Sequence, residues 1–577
     1  MGLTGADAQN YALSTSTLSA NVGTITQLAS VAYTGSNNGT WSDARNWAGG
    51  AIPDGNNVAQ VIIPTNMTVV YNADQVGITG SHLLNNGTII FSSANPFVLS
   101  NSVSGVGTLE QRGAGMLTLT GNSNMTGIVD IASYSLTLGS TNALGSSHIA
   151  SSGGNLYVTN GTTLNSLAID GSVNVMSIIN TLGDQQYNGS LTFLSSGIPS
   201  SMQSSMAPNF YASTGNISFM STVSAGIDSK SSQRSLVVSA PNGAVLLNDQ
   251  VGQDVVSNRA TKIQTINFSN YNQSSVSPYA VDVSAQTIKL FGDVTSFSGQ
   301  QYNGSVLIGD NGSNGNTRLL LSMDPSISFS GSINDTVSGQ HTLMLRALSL
   351  GSGQVPEISL GSVGLSVPLS GLDVLVGEQN QSSVVADITT NRYDYVGTVS
   401  LTGSVSTTND QLYVANSIPL TSSASQVITF HSDRGAIEMI TGLTNGSISG
   451  LQNTSFSFGA GATGLGSNLA GLGVSTQWSQ PVVLIPPTNN SNQAQSPQQA
   501  QNPILAKISS QKQNANQDQS LNSDDNSIHG KLYVMAYNAN KQLNNEAESS
   551  VEVGGVEGKN LVNVDCDPTL NQACSVN

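Results

Sequence analysis

Gly113-Ala114-Gly115-Met116-Leu117-Thr118-Leu119-Thr120-Gly121-Asn122 is followed, after a Gly-bearing turn, by Ser135-Leu136-Thr137-Leu138-Gly139. In each segment two leucines flank a single residue, a spacing that places both on one face of an extended strand. The pair recurs on either side: Phe97 and Leu99 come before, Leu156 and Val158 after, and equivalent positions return every 19 or 20 residues. Gly, Asn and Ser fill the intervals, as in Gly121-Asn122-Ser123-Asn124 and Gly153-Gly154-Asn155. Tight turns that need positive φ accept those residues. A strand period nested in a coil period predicts an all-β parallel β-helix, with Phe97, Leu99, Leu117, Leu119, Leu136, Leu138, Leu156 and Val158 in its core. A string of β-sandwiches is the competing reading, and beyond about residue 300 the two stay open.

Composition agrees. Of 577 residues only 8% are charged while 38% are hydrophobic, and mean hydropathy is -0.04. A helical bundle would need more Lys and Glu on its exposed faces, and a wholly disordered chain would be less apolar. The net charge of -17 and pI near 4.4 leave little for phosphate neutralisation, so nucleic acid is not an expected partner. No apolar run approaches the length of a membrane-spanning helix. The first 30 residues show neither a basic n-region nor an apolar h-region. Either a cytosolic chain or one whose exporting N-terminus lies outside this sequence is therefore expected.

A longer repeat overlies the short one. Gly183-Asp184-Gln185-Gln186-Tyr187-Asn188-Gly189-Ser190-Leu191 returns as Gly299-Gln300-Gln301-Tyr302-Asn303-Gly304-Ser305-Val306, and Tyr395-Val396-Gly397-Thr398-Val399 reads as a weaker third copy. Each precedes a short Phe-bearing strand: Ile217-Ser218-Phe219, Ile327-Ser328-Phe329 and Ile428-Thr429-Phe430. Blocks duplicated in this way extend a surface and do not suggest a unique pocket. The chain divides into residues 1–30, a solenoid entry over 31–80, the repeat region 81–485, a Gln/Asn/Ser-rich flexible linker 486–527 and a small tail 528–577.

Three stretches resemble known families. The segment from Gly113 through Asn122 and Gly127 to Ser135–Gly139 and Asn142-Ala143-Leu144-Gly145 resembles the autotransporter-associated β-strand repeat of bacterial passenger domains. The blocks around Tyr187 and Tyr302 are similar to those of large exoproteins of the filamentous haemagglutinin type, secreted by the two-partner route. Gly2-Leu3-Thr4-Gly5-Ala6-Asp7-Ala8-Gln9-Asn10-Tyr11-Ala12-Leu13 is similar to the closing strands of the YDG repeat found in the same exoproteins. The resemblance implies a right-handed β-helical rod on the surface of a Gram-negative bacterium, exported by an outer-membrane two-partner transporter. It implies adhesion, haemagglutination or biofilm formation through host-cell or bacterial surface glycans and proteins. This sequence would be the C-terminal part of such an exoprotein.

Cys566 and Cys574 are the chain's two cysteines. In an exported chain they are expected to form a short-loop disulfide, and some two-partner adhesins resemble this ending, with a paired-Cys loop that tethers the rod at its transporter. Trp41 and Trp47, in Gly39-Thr40-Trp41-Ser42-Asp43-Ala44-Arg45-Asn46-Trp47, either cap the solenoid core or offer an aromatic platform to a glycan, and capping is preferred. Their block resembles the opening of passenger repeat regions. His82, His148, His341, His431 and His529 are scattered without an adjacent nucleophile motif and read as solvated surface residues. Gly309-Asp310-Asn311-Gly312-Ser313-Asn314-Gly315-Asn316 carries oxygen ligands but not the regular nonapeptide of calcium solenoids, so it reads as a plain turn. No catalytic residue, cofactor or metal site is expected. A β-helix polysaccharide lyase or hydrolase and a passive stalk displaying an N-terminal domain are the alternatives to an adhesin. Asn86, Asn124, Asn160, Asn188 and Asn303 open Asn-x-Ser/Thr triplets of the kind this composition generates by chance.

Overall fold

The computed structural model describes residues 26–72, 80–193, 210–225, 235–252, 278–312, 315–323, 325–349, 355–378, 397–422, 426–441, 446–470, 472, 474, 476–478, 550–554, 561–565 and 575–576. Residues 1–25 of the expected YDG-like end over 1–30, the linker 486–527 and both cysteines lie outside them. The chain forms two units, Met1–Val483 and Leu484–Asn577. In the second, Ser550–Gly554, Leu561–Asp565 and Ser575–Val576 pair antiparallel in one small sheet.

The first unit is all-β with long parallel sheets, an arrangement consistent with a solenoid. Among its described residues one helical turn, Ser467–Ala470, is α. The deciding strands stack as their spacing requires. Phe97–Leu99, Leu117–Leu119, Ser135–Leu138, Gly154–Val158 and Val173–Val175 are successive neighbours in one parallel sheet. Leu117 is paired with Phe97 on one side and Leu136 on the other, and Leu138 lies between Leu119 and Val158. Leu136, Leu138 and Leu156 are 0% exposed. Phe97 at the sheet's edge is partly buried and packs on the same core.

A second sheet runs alongside through Thr68–Tyr71, Thr88–Phe91, Thr108–Gln111, Ile128–Ala132 and His148–Ser151, again in parallel register. Stacking begins before the expected repeat boundary at residue 81, because Val31 pairs with Val61 and Gly39 with Val69. Such close rungs constrain the turns. A Cβ on Gly121 would sit 1.8 Å from the Asn101 carbonyl oxygen of the neighbouring rung, so only Gly fits there.

Alternation breaks in the later sheet of Thr317–Ser322, Thr342–Ser349, Gly371–Glu378 and Gln411–Ala415. Leu320, Leu343 and Leu345 join the main core, while Leu319, Leu321, Met344, Leu375 and Val414 form a second apolar cluster on the opposite face. Buried on both sides, these strands carry continuous apolar runs such as Leu319-Leu320-Leu321.

Candidate functional site

The outward side chains of the early rungs form rows. Thr118 pairs with Thr137, and Thr137, covered on this face by Met116, pairs with Tyr157. At one turn the Asn142 amide donates to Asn122 Oδ1 at 2.7 Å, and Asn165 donates in turn to Asn142. On the neighbouring sheet Glu110 pairs with Asp130, and Arg112 bridges them at 3.3 and 2.5 Å. Further along, Asp170 accepts from Asn188 at 2.6 Å and lies 3.4 Å from His148. Partnered in this way, the rows make a polar surface.

Trp41 and Trp47 are each 2% exposed. Their rings meet edge-on at 4.5 Å, Tyr71 packs edge-on against Trp41 at 5.9 Å, and the Trp47 indole N–H donates to the Trp41 carbonyl at 2.7 Å. A ring with no open face cannot stack on a sugar. They fill the interior beneath the first rungs.

The long repeat encodes a buried polar node. Tyr187 Oη donates to Gln185 Oε1 at 3.0 Å, while Gln185 Nε2 donates to Thr181 Oγ1 at 3.2 Å and to the Tyr211 carbonyl at 2.9 Å. The same node recurs at Ser296, Gln300 and Tyr302, with 2.9 Å from hydroxyl to amide oxygen and 2.8 Å to the Leu321 carbonyl. It recurs again at Thr407, Gln411 and Tyr413, at 3.1 Å and with 2.6 Å to the His431 carbonyl. The third copy is therefore Gln411-Leu412-Tyr413. The segment expected for it, at Tyr395, falls partly outside the described residues, and its Thr398–Leu401 end is an ordinary strand. Ser/Thr-x-x-x-Gln-x-Tyr was the available signal. Burial pushes all three tyrosine hydroxyls upward in pKa, which keeps them protonated as donors.

His341 overturns the reading of a solvated histidine at its own position, whereas His148 is 39% exposed and His529 lies outside the described residues. The His341 side chain is 1% exposed and lies between two carboxylates, with Nδ1 2.5 Å from Asp335 Oδ1 and Nε2 2.6 Å from Asp310 Oδ2. Asp335 also accepts the backbone N–H groups of Val337, Gln340 and His341. Ionised carboxylates only accept, so with both charged the ring donates from both nitrogens. Asp310 belongs to the Gly-rich loop read as a plain turn, and it also accepts Gly312 N–H at 2.7 Å. Arg318, 0% exposed, pins the loop by donating to the carbonyls of Gly309, Gly315 and Thr317. His82 and His431 are likewise engaged, the first by Ser102 and Ser104, the second by Ser457 and Asp433. With His341 and Asp335 enclosed and Asp310 at 24% exposure, the carboxylate–imidazole–carboxylate group is a clasp in the fold. No group of three or more His, Cys, Asp or Glu suited to a metal ion occurs among the described residues.

No family model, curated protein or solved structure matches the chain.

Proposed function

We propose that the chain is a right-handed parallel β-helix serving as a non-catalytic, adhesin-like exoprotein, secreted or held at the outer surface of a Gram-negative bacterium. The observation that carries this reading is the parallel stacking of rungs with Leu117, Leu136 and Leu156 in line inside and Thr118, Thr137 and Tyr157 in line on the opposite face, where Thr137 is covered and donates to the Met116 sulfur. Such a scaffold repeats short polar groups along its outside, which suits weak multivalent contact with surface glycans or proteins. Export through an outer-membrane two-partner transporter, and tethering by a Cys566–Cys574 loop, belong to the same proposal and rest on the sequence resemblance alone.

Binding of the purified chain to host cells, to bacterial cells and to itself tests the proposal. Saturable attachment that multivalent glycans or surface proteins compete away is the expected outcome. A folded chain that attaches to none of them would point to the passive stalk, and release of new reducing ends from polysaccharide would point to the β-helix enzyme.

A further inference from the structure

Asn-Gly pairs are chemically labile where the glycine amide nitrogen can reach the asparagine side chain, and stacked rungs restrain nearly every such pair described in this chain. At Asn188-Gly189 both ends of the side-chain amide are engaged, Oδ1 by Gln186 and Nδ2 by Asp170. Asn303-Gly304 repeats this with Gln301 and Ser284. Asn242 lies within the strand Leu236–Leu247 and donates to the Ser213 carbonyl. At Asn311-Gly312 the side chain donates to the Asn248 carbonyl and the glycine N–H is held by Asp310. The Gly39 N–H after Asn38 donates to Ser36. Asn86 accepts from Val106 N–H, and Gly87 is buried against the preceding rung.

Asn160-Gly161 differs. It occupies the centre of a turn closed by Thr162 N–H donating to the Thr159 carbonyl at 2.9 Å. Both residues are exposed, Gly161 has φ of 82°, and nothing lies within 4 Å of where its Cβ would be. Among the described Asn-Gly pairs it alone has neither the side-chain amide nor the following N–H engaged. We infer that, among the described Asn-Gly pairs, Asn160 is the principal site of spontaneous deamidation in the folded protein. The Gly161 backbone nitrogen attacks Asn160 Cγ, forming a C–N bond as the Cγ–Nδ2 bond breaks. Ammonia leaves with the proton that Gly161 gives up. Water then opens the succinimide at either carbonyl, yielding aspartate or isoaspartate and one new negative charge. Open space around the turn accommodates both products.

The test is incubation of the full chain in mildly alkaline buffer, folded and in urea, with mass-spectrometric mapping of chymotryptic peptides, since Arg112 and Lys230 leave few tryptic sites nearby. In the folded chain Asn160 should convert about tenfold faster than Asn188, Asn303 or Asn311, whose hydrogen bonds must open first. In urea the rates should converge. Asn160→Gln should abolish the early product and leave the unfolding midpoint unchanged. Equal rates in the folded protein, or a rank order that urea leaves intact, would overturn the inference.

Discussion

Tyr187 and Phe219 occupy the same register position on neighbouring strands and stack with ring centroids 5.2 Å apart and planes 9° from parallel. Tyr302 and Phe329 repeat the pair at 5.0 Å and 15°. The third copy departs from it: Tyr413 pairs in register with Met439 and meets Phe430 edge-on at 83°. The Gln–Tyr hydrogen bond is thus kept three times while the in-register aromatic stack is kept twice. Tyr302→Phe should leave Gln300 Oε1 short of its donor in the core and cost about 1–3 kcal/mol, read as a lowered urea midpoint.

Core and surface positions of a single sheet should respond differently. Leu138→Ala, at a site 0% exposed, should cost about 2–5 kcal/mol through lost burial and a cavity. Val98→Ala, at a site 52% exposed, should stay within about 0.5 kcal/mol. Equal effects in chemical denaturation would contradict the inward register of the leucines.

Turn closeness predicts a penalty at Gly121. Adding a methyl group there forces the rungs of Asn101 and Gly121 apart, and Gly121→Ala should destabilise by about 1–3 kcal/mol. Gly161→Ser meets no neighbour, so its cost should be confined to the strain of a positive φ. Thermal unfolding of the two variants separates contact from backbone strain.

The clasp predicts acid sensitivity. The His341 imidazole, and next the Gly312 N–H, hold the Asp310 carboxyl below its ordinary range. A depressed carboxylate adds stability that is complete above the unfolded value of about 4 and is lost as pH falls through the lower folded value. Asp310→Asn should therefore flatten the acid limb of the stability curve and lower stability at neutral pH. His341→Leu should be costlier, by about 3–5 kcal/mol, because Asp335 would remain a buried charge without the ring. Urea melts across the acid range check both variants.

The period of Leu117, Leu136 and Leu156 was legible without coordinates, because a chain that buries an alternating pair at each turn has few ways to stack other than in parallel. Legibility failed where strands are buried on both faces, since Leu319-Leu320-Leu321 carries no alternation to orient it. It failed again for polar groups. Nothing adjacent to His341 announces Asp310, which a coil of the chain brings from 31 residues away.

Local alternation and turn residues were enough to specify parallel rungs and an inward row of apolar side chains, because both depend on neighbours along the chain. Which Gln, Tyr, His and Asp side chains are enclosed, and which of the two tryptophan roles is open, depended on rung-to-rung register. Hydrogen-bond partners across a stack are set by the position of the next coil, a distance that sequence adjacency does not encode.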